Sequence, residues 1–149
     1  MRRTLAILLV VLAGVPAATA QAATPAQLRG AMLKQLNHVR AAHGLPRLRL
    51  QPRLTRCAMR HTRYLSRIGM LTHDSSDGTS AATRIRRAYG ARVIGETLAF
   101  GDTVAWIVSA WMHSAPHRAI LLDPDYRVVG IGGLQVSDGT IWATADLGS

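Results

Sequence analysis

The chain has 149 residues, 18 of them basic and 8 acidic, for a formal net charge of +10 at pH 7, and a single cysteine. This length supports one domain with a real core and excludes two, and the lone Cys57 excludes an internal disulfide, so packing must carry the stability. The charge is lopsided: Arg29 to Arg92 holds fourteen bases against two acids, whereas Val93 to Ser149 holds two against six, which argues for one basic face.

The chain opens with Arg2 and Arg3, an apolar run from Leu5 to Val15, and small residues ending Ala18-Thr19-Ala20. Eleven apolar residues fall well short of the ~20 that a membrane span needs, so residues 1–22 read as a secretory signal peptide cleaved after Ala20 or Ala22. The expected product is a single domain over residues 23–149, secreted or held in the periplasm or cell envelope, with no transmembrane anchor left.

Thr24-Pro25 predicts the N-cap and first residue of a helix that closes at Gly44, with Leu28, Met32, Leu36 and Val39 as its buried stripe. A short extended piece from Leu45 to Gln51 leads to Pro52, which starts a second helix running to Gly69. On that helix Leu54, Cys57, Ala58, His61, Leu65 and Ile68 share one face. Arg53, Arg56, Arg60, Arg63 and Arg67 share another, at spacings of 3, 4, 3 and 4. Such a stripe is either a solvated face or a contact for anionic lipid or envelope polymer. Nucleic acid is not expected, because the stripe has no interleaved aromatic platform and the protein is read as exported.

The polar segment LTHDSSDGTS, Leu71 to Ser80, predicts a loop; its acids and glycine do not fit a calcium loop, whose closing Glu would fall on Ile85. A third helix spans Ser80 to Tyr89 and ends at Gly90. Arg92 to Phe100 reads as a strand followed by a tight turn, with Glu96 in an apolar setting where it must reach solvent or meet a donor such as histidine. Trp106, Ile107, Trp111 and Met112 recur at helical spacing behind an N-cap at Asp102 and predict a buried face. Ser114 caps a restarted helix with Pro116 in its first turn, which leaves the ring of His117 free to face a cleft. Tyr126 to Leu134 and Thr140 to Leu147 are strands joined through Asp138-Gly139, a hairpin signal. Helices early and strands late argue for an α+β fold with an antiparallel sheet covered by helices.

Among the histidines, His38 and His43 lie at or near the first helix end with no acidic neighbour, and His61 sits on an apolar face where a core role fits best. His113 and His117 are four apart, but Pro116 breaks the helix that would let them chelate together. His73 and His117 carry the functional promise, with Glu96 as a third member. No G-x-S-x-G elbow or H-E-x-x-H helix is present to supply a standard hydrolase, and Cys57 lacks a thiolate-stabilising setting.

The segments LNHVRAAHGLPRL (Leu36 to Leu48), LTHDSSDG (Leu71 to Gly78), IGETLAFG (Ile94 to Gly101), WMHSAPHRAIL (Trp111 to Leu121) and YRVVGIGG (Tyr126 to Gly133) together resemble the CAP superfamily. These SCP-domain proteins group with cysteine-rich secretory proteins, antigen five and plant pathogenesis-related proteins. The resemblance is to the bacterial, disulfide-free branch and runs from about Leu28 to Gly148. It implies an α–β–α sandwich with a cleft lined by two histidines and acidic residues, which in some members holds zinc or another divalent ion. Carried over by position, it assigns His73, Glu96 and His117 to that cleft as the tentative metal ligands. Three positions depart from the family pattern: Thr97 follows the glutamate where Asn is usual, Ser114 stands where many animal members have a second Glu, and Ala115-Pro116 replaces Pro-Gly.

Two functions follow as expectations. One is a binding module for envelope or lipid-type ligands. The other is a metal-assisted hydrolase using His73, Glu96 and His117, in which Zn2+ or another divalent ion activates water.

Overall fold

A computed structural model describes residues 21–149, so the signal peptide reading lies outside the described residues except for Gln21 and Ala22. The described residues form, in order, α1 (Pro25–Ala42), β1 (Arg49–Leu50), α2 (Pro52–Ile68), α3 (Ala81–Tyr89), β2 (Ile94–Gly101), α4 (Val104–His113), α5 (Ala115–Leu121), β3 (Val128–Gln135) and β4 (Ile141–Gly148). The expected caps are in place for three helices. Thr24 and Gln27 make a reciprocal capping box at the start of α1. Gly69 and Gly90, both left-handed, end α2 and α3.

The sheet order is β1-β3-β4-β2, antiparallel except for the two-residue β1, which pairs with β3 in parallel. Because side chains alternate across a strand, the sheet sends two different sets of residues to its two faces. Val129, Ile131, Ala143, Ala145 and Leu147 pack with Leu28, Met32 and Leu36 of α1, Ile107 and Trp111 of α4, and Leu121 of α5. The opposite face meets α2 and α3 through Leu54, Leu65 and Ile85, packed with Val128, Leu98 and Trp142. The result is the three-layer α–β–α sandwich, with β2 as an edge strand. Arg40 of α1 is buried and closes the β1 side, its guanidinium donating to the carbonyls of Pro46, Leu121, Asp123 and Tyr126.

Three local expectations are corrected. Glu96 lies inside β2, not in a turn after it: the strand continues to Gly101 because β4 pairs with it along its full length. Helix α4 is capped by Thr103 rather than Asp102, the Thr103 hydroxyl accepting from the Trp106 amide at 3.0 Å. Trp106 is not part of the buried face but 54% exposed; Ile107, Val108 and Trp111 take that role, because the helix rotates Trp106 over the rim of the sheet.

Candidate functional site

The site starts from a pinned loop. His61, buried on α2, donates from Nε2 to the carbonyl of Thr72 at 2.8 Å and so fixes the chain just past the end of α2. Burial lowers the His61 pKa, and its buried Nδ1 has no hydrogen-bond partner, so in the neutral ring with its proton on Nε2 this acceptor is left unsatisfied. The next residue, His73, is thereby presented beside β2.

His73 Nδ1 donates to Glu96 Oε1 at 2.7 Å, and Arg84 of α3 pairs with the other oxygen, Oε2. Arg84 also donates to the His73 carbonyl at 3.1 Å and to Ser75 Oγ at 3.2 Å, which ties loop, helix and strand together. The Glu96 hydrogen bond raises the His73 pKa against the opposing effect of burial. For Glu96 itself, burial pushes upward, but the His73 hydrogen bond and the Arg84 charge outweigh it, so its carboxyl stays ionised below the ordinary range.

Directly across the β2–β4 ladder from Glu96 is Asp146, wholly buried, with neither oxygen accepting a hydrogen bond. An ionised carboxylate there would face Glu96 with no donor of its own. Burial, and then the Glu96 charge, push Asp146 far above the usual carboxylate range. The two carboxyls form a coupled pair in which Asp146 favours its protonated form and Glu96 its ionised one. Cys57 lies on the same side of the sheet; burial and the neighbouring Asp146 push its thiol up to about 12. It is free, buried and chemically inert, as its apolar surroundings on α2 led one to expect.

His117 sits in the first turn of α5, half-buried, its pKa lowered by burial and by the His73 charge. His73, Glu96 and His117 line one cavity of about 480 Å³ that straddles the edge of β2, with Ala81, Ala82 and Ile85 of α3 on one bank and Pro116 and Ile120 of α5 on the other. A second hollow of about 260 Å³ continues from His117 along β2 and is almost wholly apolar, lined by Leu71, Leu98, Phe100, Trp106 and Trp111. Trp111 Nε1 donates to the Leu98 carbonyl at 3.0 Å and so satisfies part of the strand edge beneath this arm.

The residues do not fit the zinc set that the resemblance implied. Both Glu96 oxygens are engaged, one by His73 and one by Arg84, and His73 spends Nδ1 on the carboxylate. Among the described residues no group of three His, Cys, Asp or Glu side chains could hold an ion. Arg84 supplies the positive charge against Glu96 that a cation would have brought. What remains toward the cleft is a pair of imidazoles.

The other candidates separate clearly. His113 is exposed and bonds the Ser109 carbonyl at 2.8 Å, while His43 caps α1 and His38 is exposed. Ser114 stands at the N-cap position of α5 but makes no side-chain cap bond, and no hydrogen bond joins it to His117. All five stripe residues, Arg53, Arg56, Arg60, Arg63 and Arg67, are exposed on the outer face of α2. Sequence reasoning missed Arg84 and Asp146. Asp146 had a signal, since an acid in the alternating run IWATADL falls on the same face as Trp142 and Thr144. Arg84 had none, being one arginine among three in its helix.

Among solved structures, the chain is similar to an outer surface protein of Borrelia burgdorferi, with a TM-score of 0.78 and 21% identity, covering 87% of this chain and 97% of that one. An extracellular SCP-domain protein of Bacillus anthracis matches at a TM-score of 0.71 and 22% identity over 87% of this chain and 45% of its own. A cysteine-rich secretory protein of Staphylococcus aureus matches at 0.61 and 20%, over 84% and 39%. These likenesses establish the fold. No curated protein sequence matches this one. The family model described as "CAP: Cysteine-rich secretory protein family" covers residues 33–146, from within α1 almost to the end of β4 and including His73, Arg84, Glu96, His117 and Asp146. The chain belongs to the cysteine-rich secretory protein family, in a form without disulfides.

Proposed function

We propose that the protein is an exported binding module whose cleft takes an amphipathic ligand, with the polar head at His73 and His117 and the apolar part along Leu71, Phe100 and Trp106. The observation that carries this reading is the junction at His117: a cavity that holds the His73 and Glu96 side chains on otherwise mostly apolar walls and an almost purely apolar one share that residue, and both border β2. Ligand sites of this kind are mostly apolar with a few fixed polar groups. The polar end is fixed in advance, because Glu96 and Arg84 hold the His73 ring and the Thr72 anchor holds its backbone. Export is supported by the leader-like first 22 residues and by the outer-surface and extracellular descriptions of the similar structures.

The expected head group accepts hydrogen bonds from imidazole. The cleft presents a hydrogen-bonded histidine, and among the described residues no hydroxyl or thiol is aligned with it as a nucleophile. A neutral amphiphile, dodecyl maltoside below its critical micelle concentration, tests the reading without engaging the surface charge. Trp106 fluorescence should shift to the blue with saturable binding. Measured by calorimetry, since the variant lacks the reporter indole, Trp106→Ala should weaken affinity by about tenfold, the ~1.4 kcal/mol expected when part of an indole's apolar contact is lost. Absence of saturable binding, or equal binding by Trp106→Ala and the parent, would overturn the proposal.

A further inference from the structure

On the far side of the 71–80 loop from His117 lies a second hollow that the cleft does not use. The loop folds back on itself through Ser75 N–H to the Thr79 carbonyl and Gly78 N–H to the Ser75 carbonyl, both at 2.9 Å, and Arg84 holds it to α3 through Ser75 Oγ. It therefore stands as a fixed wall against the flank of α2. Between wall and helix is a cavity of about 320 Å³ lined by Arg60, Arg63, Arg67, Arg84, Ser75 and Ser76. An adjoining hollow of about 310 Å³ shares Arg60, Arg84 and Ser75 and adds Arg87.

The charge of this groove is uncompensated. Among the described residues the only ion pairs are those of His73 and Arg84 with Glu96, so Arg60, Arg63, Arg67 and Arg87 have no acidic partner within 4.0 Å. Arg84 is committed to Glu96 and the loop, and acts as a fixed positive floor. Asp77 is the one acid in the lining; its Oδ1 accepts from the Thr79 amide at 2.9 Å. A plain solvated stripe would be convex. Here, three guanidiniums from successive turns of one helix face two serine hydroxyls across a hollow, and the guanidinium fork suits oxyanions that accept several bonds at once.

We propose that this groove is a binding site for phosphate groups, with Arg60, Arg63 and Arg67 as the direct ligands, Ser75 and Ser76 as hydroxyl donors, and Arg84 as the charged floor. The groove shares only Arg84 with the framework of the amphiphile cleft and its direct ligands lie outside that cleft, so either binding reading can fail without the other. Arg60, Arg63 and Arg67 lie on successive turns, ~5.4 Å apart along the helix, which suits a chain of phosphates better than one. The phosphate can be carried by a soluble chain or by a lipid head, and the test has an arm for each.

Calorimetry at fixed ionic strength, with inorganic phosphate and tripolyphosphate as probes and chloride as the blank, reads the site directly. Tripolyphosphate should bind at least about tenfold more tightly than inorganic phosphate. Arg60→Gln with Arg63→Gln should weaken tripolyphosphate at least about tenfold. The control pair Arg53→Gln with Arg118→Gln removes the same charge outside the groove and should stay within about twofold. Asp77→Asn keeps the Thr79 acceptor, removes the opposing charge and should tighten binding about two- to threefold. Thermal melting without ligand checks that each variant is folded. Equal losses in the groove and control pairs would reduce the effect to net charge and overturn the site, as would no binding of tripolyphosphate. In the second arm, vesicles containing phosphatidylglycerol are compared with phosphatidylcholine vesicles. Groove-dependent capture by the former assigns a lipid source, and tripolyphosphate binding without vesicle capture assigns a soluble or polymeric one. Vesicle capture without tripolyphosphate binding overturns the proposal.

Discussion

Asp146 is the residue whose state most affects the site, because it decides how much charge Glu96 must share. Its pKa is raised, so in the folded protein it keeps a proton that the unfolded chain releases near pH 3.9. The folded state binds more protons over that interval, and the Asp146 contribution to stability therefore falls as pH rises from about 4 toward the raised pKa. Glu96 acts in the opposite sense: its lowered pKa gives stability that is present above its unfolded value and lost as acid protonates it. His73, with a raised pKa, contributes below about pH 6.5 and loses that contribution as pH climbs through its folded value. Asp146→Asn keeps a donor facing Glu96 and deletes only the Asp146 titration. In urea unfolding at pH 5 and pH 8, the stability of Asp146→Asn relative to the parent should increase with pH; a constant difference would mean that Asp146 is ionised in the fold. Of these groups, the sequence exposed Glu96 as an acid in an apolar run, His117 as a ring in the first turn of a restarted helix, and His73 as a histidine in a polar loop free to leave the core. It marked Asp146 only as an acid on an alternating face, since its pairing across the ladder is set by the fold, and it hid Arg84, because nothing local shows which of several arginines turns inward.

At the scale of elements, the site depends on how closely α2 lies on the sheet. Gly130 and Gly132 of β3 face α2, and a methyl group at Gly130 would overlap the backbone of Leu54, one at Gly132 the Ala58 carbonyl and Thr62 hydroxyl. At both positions the methyl meets helix backbone, which cannot step aside as a side chain can, so the glycines set the helix-to-sheet distance and with it the reach of His61 to the Thr72 carbonyl. Gly132→Ala should destabilise the domain by about 1–3 kcal/mol, the usual cost of overpacking, and lower the melting temperature by several degrees. An unchanged melting temperature would show that α2 has room to move. Helix ends and the hairpin turn were legible because their signals are local: Thr24, Gly69, Gly90 and Asp138-Gly139. The exposure of Trp106 and the continuity of β2 through Glu96 were not, because helix rotation and strand length are set by partners distant in sequence, here β4 and the sheet rim.

At the scale of the molecule, two layers of helices close over one sheet, and the basic groove and the cleft of His73 and His117 open on either side of the 71–80 loop. The fold class follows from the order of helices and strands and the three layers from the family resemblance, whereas the parallel β1 pair and the Arg40 clamp on four carbonyls arise only when the chain closes. The buried thiol lies deep in this assembly. Cys57 has no exposed surface, its Sγ contacts the Arg84 carbonyl at 3.7 Å, and its thiol is held near 12, so it cannot react while α2, α3 and β4 remain together. Its alkylation by a neutral maleimide at pH 7 should thus proceed at the rate at which the whole domain opens, in step with hydrogen exchange of the β4 amides; faster labelling would reveal that α2 detaches alone. A chain with no disulfide to monitor thus carries its own clock, one reactive atom whose chemistry counts the moments when the native structure comes apart.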